Sequence, residues 1–219
     1  MEGVKTNSEL GRLLQTHDRV GIKAWAKREA NAFGSLQVLL FESEELLRWR
    51  AIEALGLAAA VKAETDREPV RNLLRRLFFS LNEDSGMVGW HSPEAMGEVL
   101  AQVPALIGDY AANLGSVLLR PPFERGAHWA VARMAAVQPE AASQCAGELL
   151  LSLGASDPYL RGYAVMALAA MHWTAARAGL EALQDDPGRL TRYDFDAGEL
   201  KEIAVGPLAR AALLTLNGA

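Results

Sequence analysis

Cysteine occurs once in these 219 residues, as Cys145, so the chain can form no internal disulfide and no thiolate metal cluster. Within Ala141-Ala142-Ser143-Gln144-Cys145-Ala146 it reads as a small buried hydrophobe. Aromatic residues make up only 7% of the chain, and β-branched residues are sparse, which argues against a sheet-built core. Positive charge is also short: 22 Lys and Arg stand against 27 Asp and Glu, for a net charge of −5. Binding led by nucleic-acid phosphates needs a basic surface, and this balance counts against it. No apolar run approaches the ~20 residues of a membrane-spanning helix, and Met1-Glu2-Gly3-Val4-Lys5-Thr6-Asn7 lacks the apolar core of a secretion signal. The expectation is a cytoplasmic protein without a membrane partner. Motifs that carry chemistry are missing as well. The sequence has no Gly-x-Ser-x-Gly elbow and no His-Glu-x-x-His, and its four histidines (His17, His91, His128, His172) are scattered. Gly86-Met87-Val88-Gly89 lacks the strand and lysine of a phosphate loop. The expectation is therefore no cofactor, no metal and no catalytic residue.

Alanine and leucine fill much of the hydrophobic half, and both are strong helix formers. A repeat runs through them. Leu47-Arg48-Trp49-Arg50-Ala51-Ile52-Glu53-Ala54-Leu55-Gly56 aligns with Leu160-Arg161-Gly162-Tyr163-Ala164-Val165-Met166-Ala167-Leu168-Ala169. Looser copies start near Ser92, Ala130 and Ala209, so that anchor positions 51, 92, 130, 164 and 209 recur about every forty residues. Small side chains at an anchor and three positions later share a helical face and let a neighbouring helix approach closely. Such units cannot bury their apolar faces alone, and stacking buries them.

Outer helices are expected at 32–41, 67–81, 106–119, 140–153 and 174–184, between these inner ones. Proline in the first helical turn is expected after Ser92 and Asp157, and at Pro69. Asp185 to Asp196 reads as a projecting loop, with Asp196-Ala197-Gly198-Glu199 opening the last helix. Ser8–Leu14 and Val20–Trp25 suggest two short helices capping the array within residues 1–30.

The Leu-Arg-x-x-Ala-x-x-Ala-Leu-Gly cadence over 32–216 resembles HEAT-like repeats, particularly the short bacterial phycobilisome-lyase type. The stretch from Arg75 through Gly89-Trp90 to Glu98 is similar to a small bacterial HEAT-like group without an established activity. The resemblance implies a single all-α domain over 1–219, an armadillo-like superhelix of about five helix pairs with a short N-terminal cap. It also implies a scaffold role, with a protein or peptide partner on the concave face.

Arg75 to Glu98 departs most from plain repeat packing. Arg71 and Arg75 share one helix face, and Asn82-Glu83-Asp84-Ser85-Gly86 forms a polar turn. Trp90 and His91 then precede a helix presenting Glu94 and Glu98. Arg75, Arg76, Asn82, Glu83, Trp90, His91, Glu94, Glu98 and Trp129 are the candidate partner-binding residues. They weigh against a purely architectural reading, in which the arginines pair with the acids and the tryptophans plug gaps between repeats. A second class is DNA-acting: some HEAT-like proteins repair alkylated bases with tryptophans and an acid, and Trp49, Trp90 and Trp129 fall near successive inner helices. Glu53, Glu94 and Glu98 on the same helices would repel phosphates.

Overall fold

The alanine- and leucine-rich segments do form helices, and the chain is mostly helical. The computed structural model describes residues 8–82, 89 and 91–218. They divide into two units, one drawn from Met1–Leu106 with Tyr193–Glu199 and the other from Ile107–Arg192 with Leu200–Ala219.

In the first unit α1 (Glu9–Gln15) and α2 (Arg19–Arg28) occupy the expected cap. The Ser8 hydroxyl opens α1 by accepting from the Gly11 amide, and Asp18 does the same for α2 at Gly21. α3 (Ala32–Val38) runs into a 3₁₀ turn at Leu39–Phe41. α4 (Glu45–Ala63) is the unit's axis: every residue from Ala51 to Ala59 is buried, on all faces, and α1, α2, α3, α5 and α6 pack around it. α5 (Glu68–Ser80) is amphipathic, with Val70, Leu73, Leu74 and Leu77 inward. α6 (Ser92–Gln102) packs closely on α4. The contact is tight because Gly56 has no side chain; a Cβ there would lie 2.7 Å from Glu98 Cγ. Pro69 and Pro93 sit in first turns, as expected.

The second unit repeats the theme with α7 (Ile107–Gly115), α8 (Glu124–Ala135), α9 (Pro139–Ala142), α10 (Ala146–Ser152), α11 (Pro158–Ala170), α12 (Arg177–Ala182) and α13 (Val205–Asn217). α11 packs on both α8 and α13. Ala130, Ala164 and Ala209 at the anchors, and Ala167 three positions after one, have no exposed surface. The outer helix expected over 140–153 is broken, with a 3₁₀ turn at Ser143–Cys145 between α9 and α10. Cys145 is buried there, and burial raises its thiol pKa to about 11, an unreactive state.

The stretch expected as a loop with a helix start is instead a β-hairpin, β1 (Arg189–Asp194) paired with β2 (Glu199–Ala204). The Asp194 carboxylate accepts from the amides of Asp196 and Ala197, each at 3.0 Å, and the Asp194 carbonyl accepts from Gly198 at 2.8 Å. Those bonds make a turn in which Gly198 takes a φ of +66°, so Asp196 cannot cap a helix. The last helix starts only at Val205.

Among the described residues no helix is long and apolar enough to cross a membrane.

Candidate functional site

Three pieces of the first unit meet at a small cavity of about 80 Å³. Gln37, Leu40 and Phe41 come from α3 and the 3₁₀ turn, Arg76, Leu77 and Ser80 from the C-terminal half of α5, and Gly89, His91 and Ser92 from the approach to α6. The wall is fixed by hydroxyls: Ser80 Oγ donates to the Leu77 carbonyl at 2.7 Å and lies 2.8 Å from Ser92 Oγ. The chain passes close beside them, and a side chain at Gly89 would collide with both hydroxyls. An open shelf of Arg75, Arg76, Phe79 and Ser80 continues from the cavity, sharing Arg76 and Ser80 with it. Phe41 and Phe79 stay 51% and 64% exposed, unusual for phenylalanine and therefore informative.

Polar groups converge on the same place. His91 Nδ1 lies 3.2 Å from Glu94 Oε1, so the carboxylate holds the ring in orientation. Arg76 makes no ion pair or hydrogen bond among the described residues, although it lines both cavity and shelf. Its neighbour differs: Arg75 Nη1 donates to Glu68 Oε1 at 2.7 Å and to Asn72 Oδ1 at 2.8 Å. The two arginines that stand side by side in sequence thus differ in what they offer a ligand.

No protein-family model and no curated protein sequence matches this chain. What the site does must be argued from its own geometry.

Of the nine candidate residues, the structure brings Arg76 and His91 together at the cavity, with Glu94 behind His91 and Arg75 on the adjoining shelf. Asn82 Nδ2 donates to the Phe78 carbonyl at 3.2 Å, closing the end of α5. Glu94 and Glu98 are buried: Glu98 accepts from Gln102 Nε2 at 2.8 Å, and Glu94 Oε2 has no hydrogen-bond partner among the described residues. Trp129 lies buried in α8, in the second unit. Glu83 and Trp90 lie outside the described residues.

Sequence reasoning missed a second constellation. Glu53 is 1% exposed; its Oε2 accepts from the Tyr193 hydroxyl at 2.6 Å and lies 2.8 Å from His17 Nε2, and Arg19 Nε stands 2.9 Å from Oε1. Tyr193 stacks on Trp49, with centroids 5.9 Å apart and planes 6° from parallel. Burial, and then the Glu53 carboxylate, push the Tyr193 phenol far above its ordinary pKa, so it stays a donor. Arg50 fixes the hairpin turn by donating from Nε to the Gly198 carbonyl at 2.9 Å. Carboxylate, imidazole and phenol together resemble acid–base machinery, but Oε2 is taken by the phenol and the imidazole, and among the described residues Oε1 makes only the ion pair with Arg19. The arrangement ties the hairpin tip to α4. A glutamate within the apolar run of α4 was the available signal; its partners lie 36 and 140 residues away in sequence.

Proposed function

We propose that this chain is a binding protein that holds a protein or peptide partner without acting on it chemically. The observation that carries this reading is the α3–α5–α6 edge, where exposed Phe41 and Phe79 flank a cavity lined by Arg76, which is unpaired among the described residues. Aromatic and arginine side chains are the residue types that anchor protein interfaces, because they bury much area and keep polar reach. The cavity is far below the ~300–1,000 Å³ of pockets that enclose a whole small molecule. It fits the tip of one side chain from a larger partner.

The helix pairs are, on this proposal, HEAT-like repeats of an α-solenoid. Support comes from inside each unit: α4 packs on both α2 and α6, and α11 packs on both α8 and α13, with small residues at the contacts. Recurrent pairs of this kind present extended surfaces without enclosing a reaction chamber.

A photo-cross-linking residue placed at position 79 tests the reading. Cross-linked to extract from its native cells, it should capture a discrete partner, while the same probe at the exposed Leu151 of the second unit should not. Arg76→Glu in the same chain should reduce capture severalfold without changing the melting temperature. Equal capture from both positions, or capture indifferent to Arg76→Glu, would remove this edge as the binding surface.

A further inference from the structure

We infer that the cavity beside His91 receives one carboxylate of the partner peptide, and that seating it is coupled to uptake of a proton by His91. The inference rests on the binding reading above and names the chemistry of that partner.

The charge count comes first. Arg75 is engaged by Glu68 and Asn72, so among the described residues Arg76 is the guanidinium left to meet an anion here. With His91 protonated, Arg76 and the ring set against Glu94 leave one net positive charge, which balances one carboxylate, whereas a phosphate dianion calls for more. Size agrees, since about 80 Å³ admits a single functional group. The neighbouring apolar side chains of an acidic peptide would lie against Phe41 and Phe79, which are otherwise left to water.

The proton follows from the orientation of the ring. With Glu94 as the carboxylate, its Oε1 accepts and His91 Nδ1 carries the hydrogen toward it. Nε2 meets no partner among the described residues and, in the neutral ring, bears a lone pair. A carboxylate presents only lone pairs, so the two repel until Nε2 gains a proton. Once protonated, the ring lies between Glu94 and the incoming carboxylate, donating to each. Among the described residues, the charged and titratable groups around His91 are Glu94 on its own helix and Arg76 on α5; the α3 side contributes Gln37, Leu40 and Phe41, none of which titrates. Linkage then fixes the sign: a ligand that favours the protonated ring binds more tightly as pH falls through the imidazole range.

The test pans a phage library of random heptapeptides on the immobilised full chain at pH 6, with the Arg76→Glu chain as the control surface. Retained peptides should carry a glutamate or aspartate within two positions of an apolar residue. In solution, replacing that acid by its amide should weaken binding about tenfold. Wild-type affinity should rise about five- to tenfold from pH 7.5 to 5.5, and His91→Asn should flatten that trend while Arg76 keeps the acid preference. Retained peptides without acids, equal binding of acid and amide, or a pH-independent wild type would overturn the carboxylate inference while leaving the binding reading in place. Tighter binding of a phosphoserine version would overturn it in favour of phosphate. Failure to retain any peptide above the control removes both.

Discussion

Trp129 and Phe79 have exchanged the roles that side-chain type alone suggests. The indole is 4% exposed inside α8, whereas the phenyl ring is largely in solvent. Trp129→Ala should therefore lower unfolding free energy by about 3–5 kcal/mol in denaturant titration. Phe79→Ala should stay within about 0.5 kcal/mol of the parent and show its effect only in partner capture. Glu53 obeys a similar logic in the polar direction. Glu53→Ala leaves the Tyr193 hydroxyl and His17 without their buried acceptor and Arg19 without its ion-pair partner, and should cost about 3–5 kcal/mol. Tyr193→Phe removes one charge-assisted bond while His17 and Arg19 still serve the carboxylate, and should cost about 1.5–3 kcal/mol. If Glu53→Ala proved nearly neutral, the cluster would not be a structural tie. Residue types in the sequence mark Arg75 and Arg76 as equivalent; only the positions of Glu68 and Asn72 separate them.

At the scale of elements, the repeating Leu-Arg pair has a structural meaning. Arg48 Nη1 donates to the Glu42 carbonyl at 2.6 Å, and Arg161 Nη1 to the Ala155 carbonyl at 2.7 Å, each six residues back. Each arginine therefore ties down the loop that enters its own helix. Arg161 additionally forks onto Asp186, at 2.6 and 2.9 Å, and that bond holds the Asp186 carboxyl below its ordinary pKa. The outer helices are held differently. His128 on α8 is fully buried, with Nδ1 2.7 Å from the Glu124 carbonyl and Nε2 2.7 Å from Ser152 Oγ on α10. Burial lowers its pKa below the ordinary imidazole value. The folded ring is therefore neutral where the unfolded one would already take a proton. Its contribution is present above pH ~6.5 and is lost as pH falls below that. Thermal melts from pH 8 to pH 5 should show declining stability, and His128→Gln should have a shallower slope. An unchanged slope would place the pH sensitivity elsewhere. The helix spans themselves were legible in the sequence, because 3.6-residue spacing and first-turn prolines act locally; the break inside 140–153 left no such mark.

For the molecule as a whole, the informative feature is that the first unit is discontinuous in sequence. Residues 193–199 belong with Met1–Leu106, and within them Tyr193 covers Trp49 and reaches Glu53. Replacing 193–199 by a short glycine-rich turn should speed hydrogen exchange in α2 and α4 and change Trp49 fluorescence, with exchange in α8 and α11 little altered. Uniform acceleration in both units would show that the hairpin tip has no preferential hold on the first.

The sequence by itself determined that the chain is helical, where most helices run, and that small residues return at their contacts, because propensity and periodicity are properties of neighbours in the chain. It also flagged Arg75 to Glu98 as unusual. Tertiary structure alone decided that Asp185 to Asp196 feeds a hairpin, that Glu94 and Glu98 are buried while Arg76 stands open, and that Glu53 meets a tyrosine 140 residues away. Burial and pairing depend on which distant segments arrive at the same place, and no local pattern encodes that arrival.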